Sequence, residues 1–239
     1  MITYKKALKI LRNNKINIKS EKILSINSVN RISSKNIYSP NNYPAADNTA
    51  FDGFAINSKE TNNINNNNVK KFKILKTLAA GDNPKIKKVP KFSTIEVMTG
   101  AIIQKPFDTV IPVENIKYFP SKIDPKYIII DNKIKKNNYI RFSGSDYKKN
   151  EKVVGKGQII QPSNILAFKT LGIEKVLVKK KPKIAFYSTG NEITNKSIIP
   201  NWMVRNSNNH YLKSFLTNFP IEFEEKKILR DNDQIKLKK

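Results

Sequence analysis

Apolar residues first recur at helical spacing. Ala7, Leu8 and Leu11 share one face of residues 3–13, and Thr3 stands where an N-cap would, which predicts a short amphipathic helix. Residues 22–38 instead cluster Ile, Leu and Val between Ser and Asn, the pattern of two short strands around a turn. Pro40 and Pro44 then mark a change of character. From 41 to 146 the apolar runs are strand-like, at 69–78, 94–98, 109–113 and 127–130. Gly81, Pro84, Pro90 and Pro106 fall between them as turns, and the Asn-rich run 62–68 reads as a surface loop. This pattern predicts a small β-barrel or sandwich.

Beyond 151 the rhythm changes again. Lys156-Gly157 is a turn between short apolar stretches. Residues 162–171 read as a helix with Pro162 near its start, Ile165, Leu166 and Phe168 inside and Gly172 just past its end. A strand is predicted at 176–178. Residues 183–187 (Ile184, Ala185, Phe186 and Tyr187 in a row) read as a buried-type strand that runs into Ser188-Thr189-Gly190. Tyr211, Leu212, Phe215 and Leu216 then give a helix capped by Asn206 or Ser207, and 221–229 gives another strand. This β-loop-α-β order opens a doubly wound parallel sheet. Two parallel strands do not complete one, because parallel sheets are covered on both faces. The predicted fold class is α/β plus β: multi-domain, with a β-rich domain and the start of an incomplete doubly wound domain.

Composition narrows the function. The 239 residues carry 45 basic and 19 acidic side chains, a net charge of +26, which attracts polyanions. Nucleic acid, an anionic membrane surface or a phosphorylated substrate would each suit that charge. The lysines, however, are scattered along the chain, and neither zinc-finger spacing nor an aromatic-flanked RNA-binding signature occurs. With no cysteine, disulfides, thiolate catalysis and sulfur-ligated metals are excluded, and the single His210 excludes a histidine metal cluster. No apolar run approaches the roughly 20 residues that span a bilayer. No apolar leader opens the chain, so the expected setting is cytoplasmic, without a membrane.

Four segments carry candidate chemistry. In Asp47-Asn48-Thr49-Ala50-Phe51-Asp52-Gly53-Phe54-Ala55, two carboxylates five residues apart flank small residues before a strand start. Gly53 permits close approach of a ligand, while an Asx turn leading into a strand accounts for the same residues. In Met98-Thr99-Gly100-Ala101, a hydroxyl and a glycine end a strand, where backbone N–H groups can cradle an anion or simply close a turn. In Arg141-Phe142-Ser143-Gly144-Ser145-Asp146, Arg141 offers a fork suited to phosphate, or an ion pair within a surface turn. Ser188-Thr189-Gly190-Asn191-Glu192 lies at the carboxyl end of the first parallel strand, where open α/β sheets bind ligands. There the Glu192 carboxylate suits Mg²⁺ or a water, and a helix-capping loop is the alternative. Asp231 follows the second strand and is expected at the same edge as Glu192.

In order and spacing, these segments resemble the molybdopterin molybdenumtransferases, the family of the gephyrin E domain. The first is similar to that family's D-N-S-A-M-D-G-Y-A, the second to M-T-G-A, the third to R-x-x-G-E-D and the fourth to S-T-G-D-E. The stretch from Phe107 to Glu114 resembles A-D-A-V-V-x-x-E, Leu171-Gly172-Ile173 resembles S-L-G-I, the stretch from Val204 to Asn208 resembles I-x-D-S-N, and Arg230-Asp231 resembles R-D. The resemblance implies a split domain I at 20–40 and 147–178, and a β-rich domain II inserted at 41–146. It places residues 1–19 with 179–239, as an N-terminal helix and part of a molybdopterin-binding-like domain III. It implies a homodimeric enzyme that binds adenylated molybdopterin and molybdate, inserts the metal and releases AMP with a divalent cation such as Mg²⁺. Its cleft would form between domain III of one subunit and domain II of the other.

Carried over by motif, Asp52, Thr99, Asp146, Glu192 and Asp231 would be catalytic. Asn48, Gly100, Arg141, Ser188, Thr189 and Gly190 would bind substrate, and Glu192 and Asp231 would hold the metal. Three positions depart from the family: Ser145 stands for its Glu, Asn191 for its Asp, and Asn206 for the Asp of I-x-D-S-N. Each removes a negative charge, so weaker metal binding is expected. The family's S-G-G-x-S, P-G-K-P and P-G-N-P segments and its C-terminal β domain do not occur here. The chain is therefore expected to be C-terminally truncated and unable to complete the insertion alone. Two further readings stand beside this one: a non-catalytic remnant that dimerises or scaffolds, and a basic nucleic-acid-binding module. The motif order argues against the latter, since DNA binding has no use for those carboxylates.

Overall fold

The computed structural model describes residues 2–14, 16–65 and 67–233. The basic tail 234–239 and Asn66, within the predicted 62–68 loop, lie outside the described residues. The chain divides into two compact units. One is the insert Tyr38–Glu151. The other joins the segment that ends at Ile37 to the segment that begins at Lys152.

The outer unit begins with α1 (Tyr4–Asn13), where the Thr3 hydroxyl accepts the Lys6 N–H at 3.3 Å, as an N-cap should. The strands β1 (Ser20–Leu24) and β2 (Ile37–Tyr38) follow.

The insert then contributes β3 (Asn48–Thr49), β4 (Gly53–Ile56), β5 (Lys70–Leu78), β6 (Ser93–Val97), β7 (Thr109–Pro112), β8 (Lys117–Pro120), β9 (Pro125–Ile130) and β10 (Ile140–Arg141). Six of them form one mixed sheet in the order β7-β4-β6-β5-β9-β8. Every neighbouring pair is antiparallel except β5 with β6. The barrel or sandwich expected from the strand spacing takes the form of one curled mixed sheet, curled far enough that Phe54 of β4 meets Tyr118 of β8 at a ring separation of 5.9 Å, with apolar residues gathered on both its faces. Ala55, Leu78, Ile95, Val97, Phe107 and Val110 pack on one side. Phe54, Ile56, Phe72, Ile111 and Ile128 pack on the other. Alternation along β4 and β7 divides their side chains between the two clusters, and so all four residues of each are buried. The unexpected strand is β8. Its Pro120 cannot donate to a ladder, and β8 accordingly lies at the edge of the sheet. Within the predicted surface loop, Ile64 is an anchor, buried against the Phe54 cluster.

The outer unit resumes with β11 (Lys152–Val154), α2 (Pro162–Thr170) and β12 (Lys175–Lys179). β1 pairs antiparallel with β12, and Arg31, nearly buried, pairs with Glu21 and donates to the Lys179 carbonyl at 2.6 Å. Phe168 of α2 packs with Ile37, Val154, Ile160, Val176 and Val178. The next residue but one before it, Leu166, is 72% exposed.

Last come β13 (Lys183–Phe186), β14 (Ile193–Thr194), β15 (Val204–Arg205), α3 (Ser207–Leu216) and β16 (Glu222–Glu225). β13 runs parallel to β16, and β14 parallel to β15. Two sequence expectations change here. The predicted buried-type strand has Lys183, Ile184 and Ala185 exposed, because among the described residues β16 is its single strand neighbour. The strand predicted over 221–229 pairs only at Glu222–Glu225, although Leu229 makes a separate parallel bridge to Thr189. Among the described residues, no helix is long and apolar enough to cross a membrane.

Candidate functional site

Asp52 sits in the turn between β3 and β4. Its Oδ1 accepts both the backbone N–H of Thr99, at 2.6 Å, and the Thr99 hydroxyl, at 2.7 Å. The turn reaches this far because β4 lies tight against β7. A Cβ on Gly53 would fall 2.1 Å from the Ile111 carbonyl oxygen. The two Thr99 donors, the amide first, hold the Asp52 carboxyl below the ordinary aspartate range. The remaining amides of that turn are also engaged. Gly100, at φ +87°, donates to the Thr49 carbonyl at 3.0 Å, and Ala101 to that of Met98 at 2.9 Å. Of the two sequence readings for Thr99 and Gly100, the turn closure accounts for these N–H groups, which bond to the fold and to Asp52.

A group whose folded pKa is lowered adds stability that is present at neutral pH and lost as pH falls through the lowered midpoint. Thr99→Val should shift the Asp52 midpoint only part of the way up, since the amide bond survives. Carboxyl-carbon NMR titration reads this directly, and an unmoved midpoint would rule out the hydroxyl's contribution.

β3 pairs with β10, so that Asn48 lies opposite Arg141. Arg141 forms an ion pair with Asp146, whose other oxygen accepts the Ser145 hydroxyl at 3.1 Å. The loop between them is fixed to the preceding segment. Asp47 Oδ1 accepts the Ser143 N–H at 2.8 Å, and Gly144 and Asp146 donate to the carbonyls of Pro44 and Tyr43. Both polar ends of the third motif thus face each other, and the Arg141 guanidinium meets a carboxylate of its own turn.

The other unit holds the fourth motif. Ser188 is buried, and its hydroxyl donates to Asn206 Oδ1 at 2.6 Å; Asn206 in turn donates to Asn195 Oδ1 at 3.0 Å. The Ser188 hydroxyl thus joins the strand end to the start of α3. Thr189 is exposed. Gly190 has φ +134°, which favours glycine, and a Cβ there would lie 2.6 Å from Glu192 Oε2, so the Glu192 carboxylate rests against bare backbone. Arg230 ties the two loops together. Its Nη1 lies 3.2 Å from the Gly190 carbonyl oxygen, 2.8 Å from that of Asn191 and 3.1 Å from that of Ile193. Asp231 N–H adds a bond to Asn191 Oδ1 at 3.3 Å. Glu192 and Asp231 therefore emerge from adjoining loops beyond the parallel strands.

The structure brings together Asp52 with Thr99, Asn48 with Arg141 and Asp146, and the Glu192 loop with Asp231. The first two groups belong to the insert and the third to the outer unit. Sequence reasoning gave no structural task to Asp47 or Arg230. The Asx pattern signalled the first, but nothing in the spacing signalled the second. Among the described residues, no three His, Cys, Asp or Glu side chains gather as a metal cage.

Residues 2–172 match the family model for the MoeA N-terminal region, domains I and II. The chain belongs to this family. Its curated relatives include the molybdopterin molybdenumtransferases of Staphylococcus aureus strain Mu50, 26% identical over 97% of this chain and 54% of that protein, and of Synechococcus elongatus, 25% identical over 80% and 47%. Among solved structures, the molybdopterin biosynthesis MoeA protein of Pyrococcus horikoshii OT3 superposes with a TM-score of 0.85 at 28% identity, covering 98% of this chain and 62% of that one. The chain thus spans about half the length of the curated relatives it matches. The MoeA match ends at residue 172, so the Asp52, Thr99, Arg141 and Asp146 sites fall inside the matched region. Glu192 and Asp231 fall beyond it, within the span aligned with the full-length relatives.

Proposed function

We propose that this chain serves molybdenum cofactor biosynthesis, contributing groups that bind adenylated molybdopterin and molybdate for insertion of the metal with release of AMP. The observation that carries this reading is the Arg230-tied pair of loops, which places Glu192 and Asp231 on adjoining loops beyond the carboxyl ends of β13 and β16. Open α/β sheets bind their ligands in that position.

Two exposed carboxylates fit Mg²⁺ of the kind shared with a substrate. Such a cation takes one or two carboxylates and completes its octahedron with water and phosphate oxygens, without a protein cage. Glu192 and Asp231 would hold it, and it would offset negative charge on the substrate's pyrophosphate. Asp52 enters with its Oδ1 occupied by Thr99, which fixes the carboxylate and keeps it ionised. It then orients donors of the pterin or a water without first losing a proton. Asp146, braced by Arg141 and Ser145, adds a second fixed acceptor in the same unit. The reading includes a cytoplasmic homodimer.

Isothermal titration of the protein with AMP and Mg²⁺ tests it. Saturable binding should weaken about tenfold or more in Asp52→Ala, equivalent to ~1.4 kcal/mol. A folded protein that takes up no AMP, or takes it up equally with Asp52→Ala, would sink the proposal.

A further inference from the structure

We propose that the insert carries a second ligand site, a lysine-lined cavity that takes a small phosphate-bearing anion. The cavity has a volume of about 500 Å³ and is lined by the side chains of Lys59, Lys105 and Lys136 together with Asn57 and Asn137. Its floor is apolar, formed by buried Ile103 and Phe107, while Phe142 stands 44% exposed at its rim. A neighbouring cavity of about 340 Å³ shares Lys59 and Lys136 and adds Lys133 and Lys135.

The five ammonium groups have no ion-pair or hydrogen-bond partner among the described residues. Two acids also line the cavity, each held by hydrogen bonds from serines. Asp108 accepts the Ser58 N–H at 2.7 Å and the Ser58 hydroxyl at 3.0 Å, and Asp47 accepts the Ser143 N–H at 2.8 Å. Three lysines against two aspartates leave the lining with a net charge of +1, the Ser58 and Ser143 donors hold those aspartates in place, and amides of two asparagines add neutral donors. Lysine is a point charge that suits phosphate without demanding bidentate geometry. The aromatic rim gives a planar group attached to that phosphate a surface to lie on.

The cavity is separate from the site of the proposed function. None of Asp52, Thr99, Arg141 and Asp146 lines it. Ile140 and Asp47 face it, while their neighbours Arg141 and Asn48 alternate to the other side of the β3–β10 pair.

The test is calorimetric titration with inorganic pyrophosphate and, in parallel, with ADP. Pyrophosphate should bind saturably, one per chain. The double variant Lys59→Ala/Lys136→Ala should weaken it by roughly tenfold or more, while Lys5→Ala/Lys9→Ala, which removes the same charge from α1, should leave it unchanged. ADP binding more tightly than pyrophosphate, with the difference abolished by Phe142→Ala, would identify a nucleotide; equal affinities would identify the phosphate alone. Equal weakening in both double variants would reduce the effect to overall charge and overturn the site, as would absence of binding. Preferential binding of single-stranded RNA with steep salt dependence would overturn it in favour of a polymer surface. The Asp52→Ala titration with AMP and Mg²⁺ is read separately, so each site can fail alone.

Discussion

Gly53→Ala should destabilise the insert by about 3 kcal/mol or more, and lower its melting temperature by roughly 10 °C. The added methyl group has nowhere to go. It would lie 2.1 Å from the Ile111 carbonyl oxygen, 2.9 Å from its carbon and 3.1 Å from Pro112 Cα, all backbone atoms of β7. Backbone in a paired strand cannot rotate aside as a side chain would. β4 lies second from the edge of the six-stranded sheet and is buried along its length, so the strain meets close-packed neighbours on both faces. Thermal unfolding followed by circular dichroism decides it, and a variant that melts within 2–3 °C of the parent (roughly 1 kcal/mol) would show that the β4–β7 approach is looser than described. The same variant should also disturb the Asp52–Thr99 pair, since Asp52 precedes Gly53 directly.

The second large effect is expected in the outer unit. Phe168→Ala should cost about 3–5 kcal/mol, the range for emptying a fully buried aromatic position. Phe168 has no exposed surface and meets Val154, Ile160, Val176 and Val178, so few neighbours remain that could collapse into the space. Leu166→Ala, in the same helix, should stay within about 0.5 kcal/mol, because that side chain is 72% exposed. Urea unfolding of both variants gives the contrast. Comparable losses at the two positions would mean that α2 buries a face other than the one described.

These two positions also show what the sequence made legible. The helix at 162–171 was readable from Pro162 and Gly172, which act locally through backbone geometry. Which of its apolar residues is buried was not, because Leu166 and Phe168 are equally apolar and the partner surface comes from residues far along the chain. The strands at 70–78, 93–97 and 109–112 followed from apolar runs of the right length. Their assembly into one mixed sheet did not, since the parallel β5–β6 pair and the edge strand β8 are matters of tertiary pairing. At the candidate site, motif order nominated Asp52, Thr99, Asp146, Glu192 and Asp231. It could not reveal that Thr99 and Gly100 spend their amides on Asp52 and Thr49. Nor could it show that the Ser188 hydroxyl turns inward to Asn206. Hydrogen-bond partners are chosen by three-dimensional proximity, and a string of residue types carries no record of them.

The Arg230 side chain presents a single nitrogen to three carbonyl oxygens, an arrangement otherwise typical of a bound inorganic cation. A covalently attached charge cannot diffuse away or be chelated. The loops on either side of it are therefore held at any metal concentration, and their conformational entropy is lost when the chain folds and not when a ligand arrives. Chelators should empty the proposed metal position and leave the shape around it standing.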